Sequence, residues 1–467
     1  MRKQLTLGIF LAAIAALWLV AAPPQWRISP LIDTGGVASG WWALRQQVLH
    51  LSGLWSVGLM TLCMVLALRQ PWMERPFGGL DQVYRLHKWA GMAAGMTAMV
   101  HWGAKESSGW IRNVWGTAGR PERIDMAGWA EPWRSTAKDV GEIAFYMVLA
   151  LLVLTLCQQL LSYRKWRWTH RVMPLIYLAL VFHSMVLMPA PIWAQPVGVI
   201  QALFFAAGSI AAVMALSGRI GASRSYRARI ERVSKLAGPV DQSPLELLCT
   251  MPRSWPGHVP GQFVFVTVDG LEGAHPFTIA SAPGVPASAG PDRGGEQLRF
   301  LIKPLGDFTA GLPMRLRPGM DLRIEGPYGC FDGEGSPTRQ QVWVAAGVGI
   351  TPFLAMLQSR QHPLADAPAL MQEPVHMHYC TRDAAADAVL PQVRRLCAGA
   401  LPPVQLTVHD ASSGERFEPR EHLGRFAARP IDIWLCGPAG LGEALAQACR
   451  KLGSRQWHLH RELFAMR

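Results

Sequence analysis

Apolar residues follow two regimes along this chain, meeting near Leu216. Before that point long hydrophobic runs alternate with polar stretches; after it the chain reads as an ordinary water-soluble sequence. Six runs approach or reach the length needed to cross a hydrocarbon core: residues 5–22, 48–68, 86–102, 140–161, 172–188 and 197–216. The first also fits a signal peptide, with Arg2 and Lys3, an apolar stretch and small residues at Ala21 and Ala22; on that reading five spans remain.

In the second regime, residues 261–268 read as a turn into an alternating strand. His275-Pro276-Phe277-Thr278, the strand-like 298–303, and Gly- or Pro-punctuated segments at 306–312 and 325–329 follow. Short strands at this spacing predict a small antiparallel barrel. A buried strand at 341–346 then runs into Gly347-Val348-Gly349-Ile350-Thr351-Pro352 and an apolar helix at 353–357. Such a glycine turn lets phosphate reach backbone N–H groups at a helix start. Two further strands, 375–379 and 431–435, end in Cys380-Thr381-Arg382-Asp383 and Cys436-Gly437-Pro438, where parallel strands gather ligands. The predicted fold class is a membrane α-helical bundle of six spans, then an antiparallel β-barrel domain and an α/β nucleotide-binding domain. The predicted boundaries are 1–217, 218–335 and 336–467.

Charge supplies the orientation. The net charge of +13 is concentrated near span ends, at Arg164, Lys165, Arg167 and Arg171, and again at Arg219, Arg224, Arg227, Arg229 and Arg232. By the positive-inside rule, the N-terminus and the C-terminal half face the cytoplasm, and the balanced loop 103–139 lies outside a cell (inner) membrane. The basicity is therefore a topology and membrane-surface signal, with little support for a nucleic-acid partner. The eight cysteines avoid the predicted external loops, and no CxxC or CxxCH occurs, so neither a disulfide framework nor a zinc pair nor covalent haem attachment is expected.

Four histidines then stand out. His87 and His101 are fourteen residues apart in the third run; His170 and His183 are thirteen apart around the fifth. Each spacing covers roughly 20 Å of helix, about two thirds of a hydrocarbon core. With the third and fifth spans running the same way, His87 meets His170 at the inner depth and His101 meets His183 at the outer. Two bis-imidazole haem irons, with no open position, suit that arrangement. Thirteen residues fall short of a common helical face, and Pro174 lies between the pair where it can bend or rewind the helix.

The His-Pro-Phe-Thr segment, the Gly347–Pro352 loop, the Cys-Gly-Pro turn and the spaced histidines together resemble the NADPH oxidase and ferric reductase superfamily, here in bacterial form. The resemblance implies six spans with two haem b groups and a ferredoxin–NADP⁺-reductase-like module carrying FAD. Position by position, it implies that His275, Pro276, Phe277 and Thr278 hold the flavin ring, and that Lys303 and Thr309 meet its pyrophosphate. Gly347, Gly349, Thr351 and Pro352 would receive the nicotinamide dinucleotide, with Cys436 and Gly437 beside its nicotinamide. Arg382 would pair with a 2′-phosphate, favouring NADPH, with NADH the alternative. Glu462-Leu463-Phe464 is similar to the family's Glu-x-Phe ending and puts Phe464 with Cys436 among the catalytic candidates; Met466 departs from the usual aromatic.

The implied activity passes electrons from cytosolic NADPH through FAD and the two haems to an external acceptor. Dioxygen, giving superoxide, is the leading acceptor, and His50 is the candidate group to steady the developing charge. A ferric chelate is the close alternative, received at the loop bearing Trp110, Trp115, Trp129 and Trp133, although those residues also suit an interfacial belt. A periplasmic protein acceptor is a third reading, and a haem-binding sensor with an inactive reductase half a fourth.

Overall fold

In a computed structural model the described residues are 2–21, 36–118, 120, 127–157, 163–237, 243–268, 273–286, 295–333, 335–336, 339–361, 374–424, 430–451 and 457–462. Among them the chain divides into two compact units. The first comprises Met1–Gln70 and Gln82–Ile220, the second Pro71–Asp81 and Gly221–Arg467.

The first unit is helical: α1 (Arg2–Ala21), α2 (Gly36–Leu66), α4 (Leu80–Trp115), α5 (Arg134–Leu156), α6 (Tyr163–His170), α7 (Met173–Leu187), α8 (Ala190–Trp193) and α9 (Pro196–Leu216). The short α3 (Pro71–Phe77) precedes α4 in the chain and belongs to the second unit. Among the described residues, four stretches are long and apolar enough to cross a membrane: Ser39–Leu66, Glu131–Leu156, Trp166–Leu187 and Pro196–Leu216. The expected first span is represented by a shorter apolar helix, Leu7–Leu19. The expected third lies in α4, which at 36 residues runs well past its apolar run at both ends. Arg85, Lys88, Lys105 and Glu106 are good helix formers, so the backbone ladder continues where the hydrophobic signal stops.

Polar side chains tie this bundle internally. Tyr177 on α7 shares a hydrogen bond with Thr61 on α2 (2.8 Å) and donates to the Phe204 carbonyl on α9 (3.2 Å). A methyl group at Gly208 of α9 would overlap the Tyr177 hydroxyl, so glycine makes this approach available. Small residues and interhelical hydrogen bonds do this work where lipid removes the usual hydrophobic drive.

The second unit begins with six antiparallel strands: β1 (Ser225–Lys235), β2 (Leu245–Thr250), β3 (Phe263–Val268), β4 (His275–Thr278), β5 (Gln297–Ile302) and β6 (Asp321–Tyr328). Their order is β4-β3-β6-β1-β2-β5. The ends nearly close into a barrel, because Ala280 N–H donates to the Arg299 carbonyl (2.7 Å) and Arg299 N–H to Ser281 Oγ (3.1 Å). Inward positions such as Cys249, Val264, Phe300 and Ile324 are fully buried, and α10 (Asp307–Arg315) adds Phe308 and Leu312 to that core.

A parallel sheet follows, from β7 (Gln340–Ala346), α11 (Thr351–Gln361), β8 (Val375–Thr381), α12 (Leu390–Gly399), β9 (Gln405–Asp410), α13 (Pro419–Gly424), β10 (Ile431–Cys436), α14 (Ala439–Lys451) and β11 (Trp457–Glu462). The order β11-β10-β7-β8-β9 reverses direction between β7 and β10. In such a doubly wound sheet, ligands bind outside the carboxyl ends at that reversal.

Candidate functional site

The four histidines of the first unit form two close pairs. Ring centroids of His87 and His170 are 6.1 Å apart, and those of His101 and His183 are 6.4 Å apart. Two imidazoles bonded to opposite sides of one metal at about 2 Å each place their centroids about 6 Å apart, so the spacing fits a shared axial metal. His170 closes α6, the helix breaks at Arg171-Val172, and α7 restarts with Pro174 in its first turn. That break brings residues thirteen apart to positions a straight helix does not reach.

Three of the four rings are aimed through their other nitrogen. His87 Nδ1 donates to the Cys63 carbonyl (3.1 Å), His101 Nδ1 to Leu49 (2.8 Å) and His183 Nδ1 to Ala137 (2.7 Å). A carbonyl can only accept, so Nδ1 carries the proton and Nε2 keeps the lone pair a metal needs. Trp166 stacks on His170 at 5.3 Å. Two of the accepting carbonyls sit four residues before a glycine. A Cβ at Gly53 would lie 3.1 Å from His101 Nδ1, and one at Gly141 would overlap the His183 ring. These two glycines gave no recognisable signal in the sequence, because glycine is common in membrane helices.

His50, on α2 next to Leu49, stacks on Trp18 with centroids 5.6 Å apart. Trp110, Trp115, Trp129 and Trp133 are all exposed, and Trp110 and Trp115 both meet Trp41. This exposure matches an interfacial belt more closely than a buried cover.

In the barrel, β4 separates the expected flavin residues by face. Thr278 pairs in register with Phe263 and Pro276 with Phe265, while Phe277 packs against the barrel core. His275 stacks flat on Phe308, with centroids 3.6 Å apart. Thr278 Oγ1 is buried with no hydrogen-bond partner among the described residues, which fits a hydroxyl awaiting a ring edge. Thr309 is engaged locally: its Oγ1 accepts from the Leu305 and Gly306 N–H groups at 2.9 and 3.2 Å, fixing the turn that follows Lys303.

A cleft open to solvent gathers Lys303 from the end of the barrel's β5 with Gly347, Thr381 and Arg382 from the parallel sheet. Asp387 shapes its wall by accepting from Tyr379 and Thr381 hydroxyls (2.7 Å each) and from the Val389 N–H (2.9 Å) at the start of α12. Nothing in the sequence singled out Asp387, since a loop aspartate is ordinarily a surface residue.

At the reversal point, Gly347 takes φ +56, a left-handed value. A side chain at Gly349 would overlap the Cys436 carbonyl, so the two turns touch backbone to backbone. Thr351 and Pro352 are buried in the first turn of α11, where the Thr351 hydroxyl bonds back to the Val348 carbonyl (3.0 Å). Cys436 pairs in register with Glu462 on β11. Burial, then Glu462, pushes the Cys436 thiol well above its ordinary range, so it stays protonated and neutral. Phe464 lies outside the described residues.

Glu462 is the residue whose importance exceeds its sequence signal. Burial, then the nearby Asp81 and Glu74 carboxylates, raises its pKa far above the usual carboxyl range. Glu74, on α3, accepts from the Gly329 N–H (3.0 Å) and lies 4.0 Å from Arg224. Burial raises Glu74 too, although the Gly329 bond and Arg224 oppose that shift.

Comparison with known proteins agrees with this picture. Residues 52–181 match the family described as "Ferric reductase like transmembrane component". The chain is 26% identical over 227 residues to respiratory burst oxidase homolog protein E of Arabidopsis thaliana, covering 43% of this chain and 22% of that protein. It is 28% identical over 230 residues to a flavohemoprotein of Bordetella pertussis, covering 45% of this chain and 53% of that one. A vanillate O-demethylase oxidoreductase of Pseudomonas putida is 27% identical over 179 residues, 36% of this chain and 51% of that protein. The chain thus spans about half or less of the length of these relatives.

Two outcomes follow from the geometry. In Gly141→Ala the added methyl displaces His183, and retention of haem at the His101/His183 pair weakens by about 10–100-fold, read by haem content and absorption after repeated washing. For Glu462, the folded chain holds a proton that the unfolded chain releases above 4.5. Its contribution to stability is therefore complete below that value and is lost as pH rises towards the folded pKa. Thermal unfolding of the full chain from about pH 5 to pH 8 should fall more steeply in the wild type than in Glu462→Gln. Parallel curves would contradict a protonated Glu462.

Proposed function

We propose that the chain, which resembles the NADPH oxidase and ferric reductase superfamily, is a membrane flavocytochrome that oxidises NADPH at one face of a cell membrane and reduces an acceptor at the other. The observation that supports this reading is the pair of imidazole couples, each at metal-sharing distance. When bound, FAD takes hydride from the nicotinamide and releases electrons singly, and two haem b groups carry them one at a time.

The chain's own residues bind and orient these groups. His87 with His170, and His101 with His183, would hold the two haem irons, with the Nδ1 protons of His87, His101 and His183 anchored to carbonyls so that Nε2 is left free to bind. Thr278, on the open face of β4, offers a hydroxyl to the flavin edge, and Lys303 a cation to phosphate. Gly347 and Gly349 let a dinucleotide approach the backbone, and Gly437 keeps the neighbouring turn low beside Ala346. Cys436, neutral and fully buried, supplies a small uncharged wall beside the nicotinamide position, and Glu462 holds a proton next to it. Arg382, exposed at the cleft rim, meets a 2′-phosphate.

The arginine-rich segments support a cytoplasmic position for the C-terminal half by the positive-inside rule. An electron moving outward across an inside-negative membrane gains roughly 2.3 kcal/mol per 100 mV, so the direction is favourable. Dioxygen is the proposed acceptor, because His50 lies beside Leu49, whose carbonyl holds His101, and a small acceptor needs such a polar neighbour. Ferric-chelate reduction is the second reading, favoured by the ferric reductase-like match over residues 52–181. Delivery to a periplasmic protein is a third outcome of the same test.

Purified full-length chain in vesicles, supplied with NADPH, should give cytochrome c reduction that superoxide dismutase abolishes. Reduction of a ferric chelate under anaerobic conditions, with no superoxide signal in air, would favour the second reading. Activity only on adding a partner protein would favour the third. In Arg382→Ala, KM for NADPH should rise about 10-fold while KM for NADH stays nearly unchanged. An equal rise for both would remove Arg382 from 2′-phosphate recognition.

A further inference from the structure

Three histidines with no part in the scheme above converge in the parallel sheet. His378 is on β8, His409 on the neighbouring edge strand β9, and His422 on α13. Cys380 pairs with His409 in register, so His378 and His409 stand two positions apart along the strands on one face of the sheet. Tyr379, on the opposite face, lines the dinucleotide cleft. The histidine cluster is therefore separated from that cleft by the sheet itself.

One ring nitrogen from each histidine lies within 4.8 Å of the other two. His378 Nδ1 and His409 Nε2 are 3.0 Å apart, sharing a single proton between them. His378 and His409 are buried, and His422 is half-buried. Phe417 supports the group, lying flat against His422 with centroids 5.3 Å apart and edge-on or tilted against the other two. A tetrahedral metal with nitrogen bonds of about 2.0–2.1 Å holds its ligand nitrogens about 3.3 Å from one another. Ring rotation brings these separations, all within 4.8 Å, to that arrangement, the metal replacing the shared proton.

We infer that His378, His409 and His422 form a zinc site that clamps β8, β9 and α13 together on the face of the sheet away from the nucleotide. An all-imidazole donor set suits borderline transition metals and disfavours magnesium and calcium, which take oxygen ligands. Three ligands leave a fourth position for water or a nearby side chain. The second grouping of this kind, Asp432 with His458 and His460, is a poorer cation site, because Arg339 Nη1 sits 3.9 Å from the same carboxylate oxygen.

The experiment uses full-length chain in detergent, stripped with a chelator and then dialysed against zinc chloride in the presence of a weak competitor. Zinc per chain is counted by elemental analysis. Wild type and His458→Ala should each retain one zinc, and His422→Ala and His409→Ala should lose it, with apparent affinity reduced at least about 10–100-fold. His422→Ala is the primary variant because its side chain is half-buried, and unchanged flavin and haem content shows that the chain is folded. X-ray absorption at the zinc edge of the wild type should show imidazole nitrogens at about 2.0 Å and no sulfur. Failure of the wild type to retain zinc, retention undiminished in a folded His422→Ala chain, or sulfur ligation would each overturn the assignment and leave a packed aromatic cluster.

Discussion

An imidazole inside an apolar helical bundle is held only through its own two nitrogens, and that constraint organises the membrane half of this protein. One nitrogen must donate to a backbone carbonyl so that the other presents its lone pair to a metal. His87, His101 and His183 each satisfy this with a carbonyl on α2 or α5. The accepting helices in turn need glycine where the ring comes in, which is why Gly53 and Gly141 sit one helical turn past Leu49 and Ala137. Helix packing, glycine placement and ring orientation are thus one requirement seen at three scales.

The second unit obeys a different constraint, the close approach of two backbone turns at the reversal of a parallel sheet. Gly349 meets the Cys436 carbonyl where any side chain would collide, and Glu462 is carried in beside Cys436 by strand register. Burial then sets the chemistry of both side chains: a thiol and a carboxyl that each keep their protons. A neutral pair can sit beside a nicotinamide without adding charge to a dry pocket, where an isolated ion is costly. The Pro71–Asp81 segment contributes Glu74 and Asp81 to the same environment.

Much of this was legible in the sequence because each signal has a short physical origin. Long apolar runs announced the bundle, alternating short strands the barrel, and the Gly347–Pro352 turn the doubly wound sheet. Histidine spacing points to the pairs, and Pro174 to the break between α6, which ends at His170, and α7, which carries His183. What stayed hidden depends on contacts between distant residues. Asp387, Glu74 and the His378/His409/His422 cluster involve residue types that are ordinary in sequence and become distinctive only when the fold gathers them. Helices α2 and α4 extend beyond their apolar runs because hydrophobicity marks where lipid is, whereas backbone hydrogen bonding decides where a helix stops.

The account stands or falls on two metal centres per chain, each held between two imidazoles. Haem quantified against protein by the pyridine method, with low-temperature electron paramagnetic resonance on the same oxidised sample, tests this directly. The expected result is two b-type haems per chain, both low-spin, with one lost in His101→Ala and the other in His87→Ala. A single haem, a high-spin iron with an open position, or full haem retention in both variants would contradict it.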